Sequence, residues 1–73
     1  MVPDTTPTGA EWIERFAARL GVDPPDDATI ATLLDLAGVA AHASERTAAP
    51  IACWLVGSAG SSPTNALEVA RAI

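Results

Sequence analysis

A shortage of large apolar side chains is the feature that most constrains how this chain can fold. Apolar residues make up 49% of the 73-residue sequence, but sixteen of them are alanines. A chain of this length forms one domain and buries only about 60% of the surface that its unfolded form exposes, so its stability margin is thin. Either alanine-rich helices approach one another closely and need few large side chains, or a partner protein or a second copy of the chain completes the burial.

Signals at both ends of an amphipathic segment predict the first helix. Thr8 and Glu11 have the spacing of a capping box, which satisfies free N–H groups at the start of a helix. Large apolar residues then recur every three or four positions, as they do in a helix with one buried face. Gly21 provides a left-handed stop, so this helix should span about residues 9–20. Trp12 on the apolar face is interpreted as a core residue.

The second helix is predicted to be the longest and to lie between neighbours. Asp26 or Asp27 can cap its start, where a carboxylate also meets the positive end of the helix dipole. Apolar residues follow on two sides, as they do in helices that pack on two faces, and Leu34 is expected in the core. The pattern extends to about Arg46, and Gly38 within it is attributed to close packing against another helix.

Two shorter helices complete the chain. Thr47 is expected to cap the third helix, with Pro50 tolerated in its first turn. Apolar residues then point in every direction around this helix, so it should be surrounded on most sides. A stretch rich in glycine and serine ends it, and Ser62 followed by Pro63 is a strong start signal for the fourth helix.

These segments together predict an all-α fold, a small four-helix bundle with short loops. No strand-like alternation, internal repeat or heptad pattern competes with this interpretation. Residues 1–8 are expected to form a flexible N-terminal segment, and residues 9–73 a single helical domain.

Composition and charge exclude several classes of protein. The net charge is −5, with four arginines and no lysine, so no basic stripe is present that could bind nucleic acid. An acidic chain also lacks the attraction to anionic lipids that a peripheral helix needs, and the apolar residues 48–60 are shorter than the roughly twenty residues of a membrane span. One cysteine and no signal-peptide pattern favour a cytoplasmic protein.

Polar residues near the end of the second helix form the candidate site. Asp35 lies two turns before His42 on the same face, and Arg46 lies one turn after it. This surface could hold an anionic group or the carboxylate of a partner, or the histidine could simply stabilise the helix end. No metal site is predicted, because one histidine, one cysteine and scattered carboxylates offer no paired ligand spacing. Cys53 lies in the most apolar segment and is interpreted as a small hydrophobic residue, not as a nucleophile.

Residues 33–60, LLDLAGVAAHASERTAAPIACWLVGSAG, resemble a small actinobacterial helical domain of unknown function, and the resemblance covers about residues 10–73, with Trp12 also matching. The most specific matches are Leu-Asp-Leu-Ala at residues 34–37, Ala-His at residues 41–42, and the turn at residues 46–50. This chain departs from the pattern at Thr47, where the family has a proline after the arginine, and at Trp54, where phenylalanine is common. The departure at Thr47 lies in the turn at residues 46–50. A role that this turn has in the family is therefore carried over to this chain less securely than the other matches.

The resemblance implies a biological setting but no known activity. Members of the family occur alone, or as an extra segment on proteins that resemble the nucleotidyltransferase which attaches guanosine monophosphate to molybdenum cofactor. An accessory role near molybdenum-cofactor maturation is therefore expected, with such a nucleotidyltransferase as the partner.

These observations favour a non-enzymatic accessory or docking module that has no catalytic residue, metal or cofactor. The candidate binding residues are Asp35, His42, Arg46, Pro50 and Trp54. Pro50 stiffens the start of the third helix, and Trp54 is equally compatible with the core and with an interface. Two alternatives stay open: a domain that binds a small anionic ligand through His42 and Arg46, and a structural bundle that self-associates, for example as a homodimer.

Overall fold

All regular structure in the part of the chain that the computed structural model describes, residues 6–73, is helical. The four helices, numbered in chain order, are α1 Gly9–Leu20, α2 Asp27–Ala43, α3 Ala48–Ala59 and α4 Pro63–Arg71. The predicted all-α fold with four helices and short loops is therefore confirmed. The flexible segment expected at residues 1–8 falls mainly on residues 1–5, which lie outside the described residues.

Local hydrogen bonds explain both ends of α1. The Thr8 hydroxyl accepts a hydrogen bond from the Glu11 N–H at 3.1 Å, and the Glu11 carboxylate accepts one from the Thr8 N–H at 2.9 Å. Two hydrogen bonds with Thr8 hold the pKa of Glu11 below its ordinary value. The bond with the Thr8 backbone has the larger effect, and the bond with the Thr8 side chain has the smaller one. Gly21 has a φ of 75° and donates its N–H to the carbonyls of Ala17 and Ala18. The predicted capping box and glycine stop are both confirmed.

The start of α2 follows the prediction, but its end does not. Asp26 caps the helix by accepting a hydrogen bond from the Thr29 N–H at 2.8 Å. Hydrogen bonds from Thr29 lower the pKa of the Asp26 carboxyl. The bond from the Thr29 side chain has the larger effect, and the bond from its backbone has the smaller one. The helix was expected to reach Arg46 but ends at Ala43. Ser44 leaves the helical conformation, with φ −144° and ψ −101°, and its hydroxyl donates a hydrogen bond to the Ala40 carbonyl at 2.7 Å, a type of bond that often bends helices.

Thr47 does not cap α3 as expected. It stands at the N-cap position, but its backbone is helical, with φ −68° and ψ −15°, and its side chain makes no capping hydrogen bond. A side-chain cap requires an extended backbone at this position. The Ala48 and Ala49 N–H groups instead donate to the carbonyls of Glu45 and Arg46, at 3.0 and 3.2 Å, and so form a tight turn that leads into the helix.

The remaining boundaries match the expected signals. Gly60 ends α3 in the left-handed conformation, with a φ of 65°. The Ser62 hydroxyl accepts a hydrogen bond from the Asn65 N–H at 3.2 Å, and Pro63 occupies the first position of α4, where its missing N–H costs nothing.

Helix α2 is the centre of the packing. It packs along both α3 and α4, which confirms the prediction that the longest helix lies between neighbours. Within residues 6–73, helix α1 packs against the other helices much less extensively than α3 and α4 pack against α2. The buried residues in this part of the chain are only Ala17, Leu36 and Leu67, which lie on α1, α2 and α4 respectively. The core is therefore thin and is built around α2.

Two residues that were expected in the core are exposed. Leu34 is 66% exposed, whereas Leu36 is only 2% exposed. These two residues are about 200° apart around the helix, so the face that buries Leu36 turns Leu34 outwards. Trp12 is 52% exposed, because α1 buries the Ala17 side of its apolar face and leaves the Trp12 side open.

Substitution of these two leucines of α2 separates the core from the open face. Leu36→Ala should lower the free energy of unfolding by about 2–5 kcal/mol, because it leaves a cavity at a buried site. Leu34→Ala removes the same atoms from an exposed site and should cost less than about 1 kcal/mol. Urea denaturation followed by circular dichroism measures both values. Equal losses in the two variants would contradict the assigned orientation of α2.

Candidate functional site

The predicted site residues are only partly brought together. Asp35 and His42 are exposed on α2 and line one open groove of about 600 Å³, in which Arg71 of α4 joins them. Arg46, Pro50 and Trp54 are also exposed but do not line this groove. Arg46 lies in the turn between α2 and α3, and the other two residues lie on α3.

Arg71 is the member of this groove that the sequence did not predict. It lies in another helix, 29 positions after His42, and the packing of α4 against α2 brings it near. The groove therefore combines a carboxylate, an imidazole and a guanidinium group. Because the groove is wide and open, it does not enclose a small ligand as a typical binding pocket does.

Gly38 lies in the same groove, and its role differs from the one expected. A β-carbon added at this position would meet no heavy atom within 4 Å, so close packing against another helix does not explain the glycine. The expected close packing at Gly38 is therefore wrong.

Helix α1 carries a second surface, which includes a stacked aromatic pair. The Trp12 and Phe16 rings are 5.0 Å apart at an interplanar angle of 27°, and the side chains are 52% and 47% exposed. Arg15 and Arg19 line the same shallow hollow of about 420 Å³. We call these four residues the aromatic–arginine surface. Each arginine follows an aromatic residue by three positions, a spacing that places neighbours on one helix face.

The charge of the aromatic–arginine surface is opposite to that of the whole chain. The chain carries a net charge of −5, yet two of its four arginines lie here, and no carboxylate lines the hollow. Sequence reasoning missed this surface because it assigned Trp12 to the core. The three-residue spacing from Trp12 to Arg15 and from Phe16 to Arg19 is the signal that could have revealed it.

Helix α3 carries a third surface, which is apolar and uncharged. Ile51, Trp54 and Leu55 are 60%, 67% and 56% exposed, and we call them the α3 outer face. The half-buried residues of α3 are mostly small: Ala48, Ala49, Ala52, Cys53 and Val56. These small side chains let α3 approach α2 closely and leave the large ones outside. The chain does not itself surround α3 on most sides, so that expectation was wrong.

Cys53 and His42 lie on different surfaces. Cys53 is half-buried in an apolar groove of about 400 Å³ between α1 and α2, where Ile13, Ile30 and Leu33 also lie. His42 lies in the open groove with Arg71. The two side chains therefore do not form a nucleophile–base pair. Residues 6–73 also contain no group of three or more histidine, cysteine or acidic residues placed to hold a metal ion.

No helix within residues 6–73 has both the length and the apolar character needed to cross a membrane. This finding agrees with the sequence interpretation of residues 48–60, which contain the whole of α3 and are too few to span a bilayer.

Comparison with known families places the chain in a described domain family. A family model with the description domain of unknown function, DUF6457, matches residues 4–73. The chain belongs to this family. No curated protein and no solved structure matches it significantly. The expected resemblance to a domain of unknown function is thereby confirmed, and the DUF6457 match covers all four helices.

Substitution of Gly38 tests whether the groove on α2 is open. Gly38→Ala should raise the free energy of unfolding by about 0.5–1 kcal/mol, because alanine favours a helix and the added methyl group meets no neighbour. Gly60→Ala is the control: its φ of 65° is left-handed, so this variant should lose about 1–2 kcal/mol. Urea denaturation measures both values, and a destabilised Gly38→Ala variant would show that the groove is filled.

Proposed function

We propose that this DUF6457 domain is a non-enzymatic docking module that binds a partner protein through the aromatic–arginine surface of α1. The observation that carries the proposal is the stacked, half-exposed Trp12–Phe16 pair flanked by two arginines. Tryptophan and arginine are enriched among the residues that dominate protein–protein binding energy. Contiguous exposed apolar patches, when they are large, mark sites of protein–protein interaction.

The arrangement of the pair lowers the cost of binding. Trp12 and Phe16 are one helical turn apart and restrict each other through the stack. Side chains that are ordered before binding lose less conformational entropy when a partner arrives. The two aromatic rings therefore provide a preformed apolar contact area on an otherwise polar side of the helix.

The arginines define the chemistry of the partner. Arg15 and Arg19 can each form bidentate hydrogen bonds with a carboxylate, and the adjoining rings require an apolar side chain between or beside those carboxylates. A protein surface with acidic residues around an apolar centre meets both requirements. The chain's net charge of −5 opposes binding to nucleic acid, although aromatic and arginine side chains occur together in nucleic-acid sites as well.

Docking is favoured over binding of a small anionic ligand. The hollow beside Trp12 and the groove beside His42 are both open, whereas pockets for small molecules usually bury most of the ligand. Open surfaces with preformed aromatic side chains are better suited to a macromolecular partner.

The finer part of the proposal concerns the identity of the partner. The resemblance to domains appended to proteins like the molybdenum-cofactor guanylyltransferase makes that enzyme the first partner to test. This part rests on the resemblance, as does the proposed actinobacterial origin. A cytoplasmic location is proposed from the single cysteine.

Binding of the purified domain to a molybdenum-cofactor nucleotidyltransferase from the same genome tests the proposal. Trp12→Ala should weaken binding by at least about 30-fold, which corresponds to the roughly 2 kcal/mol of a dominant interface residue. Arg15→Glu combined with Arg19→Glu should abolish binding, and higher salt should weaken the unmodified complex. Isothermal titration calorimetry measures each affinity, and circular dichroism verifies that the variants stay helical.

Two matched controls locate the binding surface. Arg46→Glu reverses an exposed arginine outside the aromatic–arginine surface, and Trp54→Ala removes the other exposed tryptophan. Both controls should bind the nucleotidyltransferase with nearly unchanged affinity. If the controls lose binding and the α1 variants retain it, the site lies at the α2–α3 junction, and the assignment to α1 is wrong. If the unmodified domain does not bind the nucleotidyltransferase, that enzyme is not the partner.

A further inference from the structure

We infer that two copies of this chain associate through the α3 outer face, as a two-fold symmetric dimer. This inference is independent of the docking proposal, because it uses a different helix. It starts from three large apolar side chains, Ile51, Trp54 and Leu55, each more than half exposed although the chain has few such side chains to bury.

The total exposed area is large enough for an interface between two copies. The chain exposes 5813 Å², whereas the scaling for compact monomers gives about 4200 Å² at 7.4 kDa. We set aside about 800 Å² for the five residues before Thr6, which is the full area that scaling assigns to a segment of that mass. For residues 6–73, about 1000 Å² remains above the compact value, and each partner in a standard interface buries roughly 800 Å².

The absence of charge on α3 makes a second copy the best occupant of this face. A two-fold contact places the same surface of both copies against itself. The twelve residues of α3 include no charged side chain, so this contact brings no like charges together. The aromatic–arginine surface of α1 would be unsuitable for such a contact, because Arg15 and Arg19 would face the same arginines of the second copy.

The helix ends favour an antiparallel arrangement of the two α3 helices. Glu45 borders the α3 outer face near the start of the helix. In an antiparallel pair, the two Glu45 carboxylates lie at opposite ends of a helix about 18 Å long, where their mutual repulsion is screened. The opposed helix dipoles also attract each other in this arrangement. Trp54 lies near the middle of α3, so it should be close to the two-fold axis and contribute most to the contact.

Sedimentation equilibrium of the full chain over a range of concentrations tests the inference. The unmodified protein should have a mass of twice 7.4 kDa at high concentration and dissociate on dilution. Trp54→Glu should raise the dimer dissociation constant by at least 100-fold, because it places two carboxylates near the axis of an apolar contact. Trp12→Glu is the matched control, since Trp12 is also an exposed tryptophan, and it should remain dimeric.

The outcomes also separate this inference from the docking proposal. Trp54→Glu should still bind the nucleotidyltransferase, whereas Trp12→Glu should dimerise but lose that binding. Ile51→Ser is a milder change on the same face, and it should weaken the dimer even if Trp54→Glu fails to fold. A monomeric mass for the unmodified protein at all concentrations would overturn the inference. Dissociation caused by Trp12→Glu but not by the α3 variants would overturn it as well.

Discussion

The packing of α3 and α4 against α2 is the interaction on which the rest of this structure depends. The contact between α2 and α3 is made largely by small side chains such as Ala49 and Ala52, which allow the helices to approach closely. The residues that a small protein would normally bury, including Trp54, then lie on the outside of the helix. Close packing of small residues and exposure of large ones are therefore two consequences of the same geometry.

This geometry explains why the domain has two surfaces of different chemistry. Helix α1 presents a stacked aromatic pair with two arginines, and α3 presents apolar side chains without charge. The first surface is suited to an acidic partner, and the second to a copy of itself, because electrostatic complementarity determines which surfaces can meet. A dimer formed through α3 would present two copies of α1, so a partner with two sites would bind with increased avidity.

The helices could be predicted from the sequence much better than the surfaces. Start and stop signals such as Thr8, Gly21 and Ser62 act through hydrogen bonds and backbone angles within a few residues. Each of these three residues caps a helix in the structure as expected. The end of α2 was missed because Ser44 leaves the helical conformation although residues 44–46 contain neither glycine nor proline to signal a stop. Burial could not be predicted, because the choice between the Leu34 and Leu36 sides of α2 depends on where the other helices pack. The candidate site shows the same limit: Asp35 and His42 share a groove as expected from their spacing, whereas Arg71 reaches it only through tertiary packing.

Amide hydrogen exchange, followed residue by residue by NMR, tests most directly the claim that the fold is built around α2 while α1 is held weakly. Amides of α2 that face α3 and α4 should exchange only through global unfolding, and their protection should report the full free energy of unfolding. Amides of α1 should exchange at least about tenfold faster through local opening, since little packing holds that helix in place. Equal protection of all four helices, or stronger protection of α1 than of α2, would contradict this account.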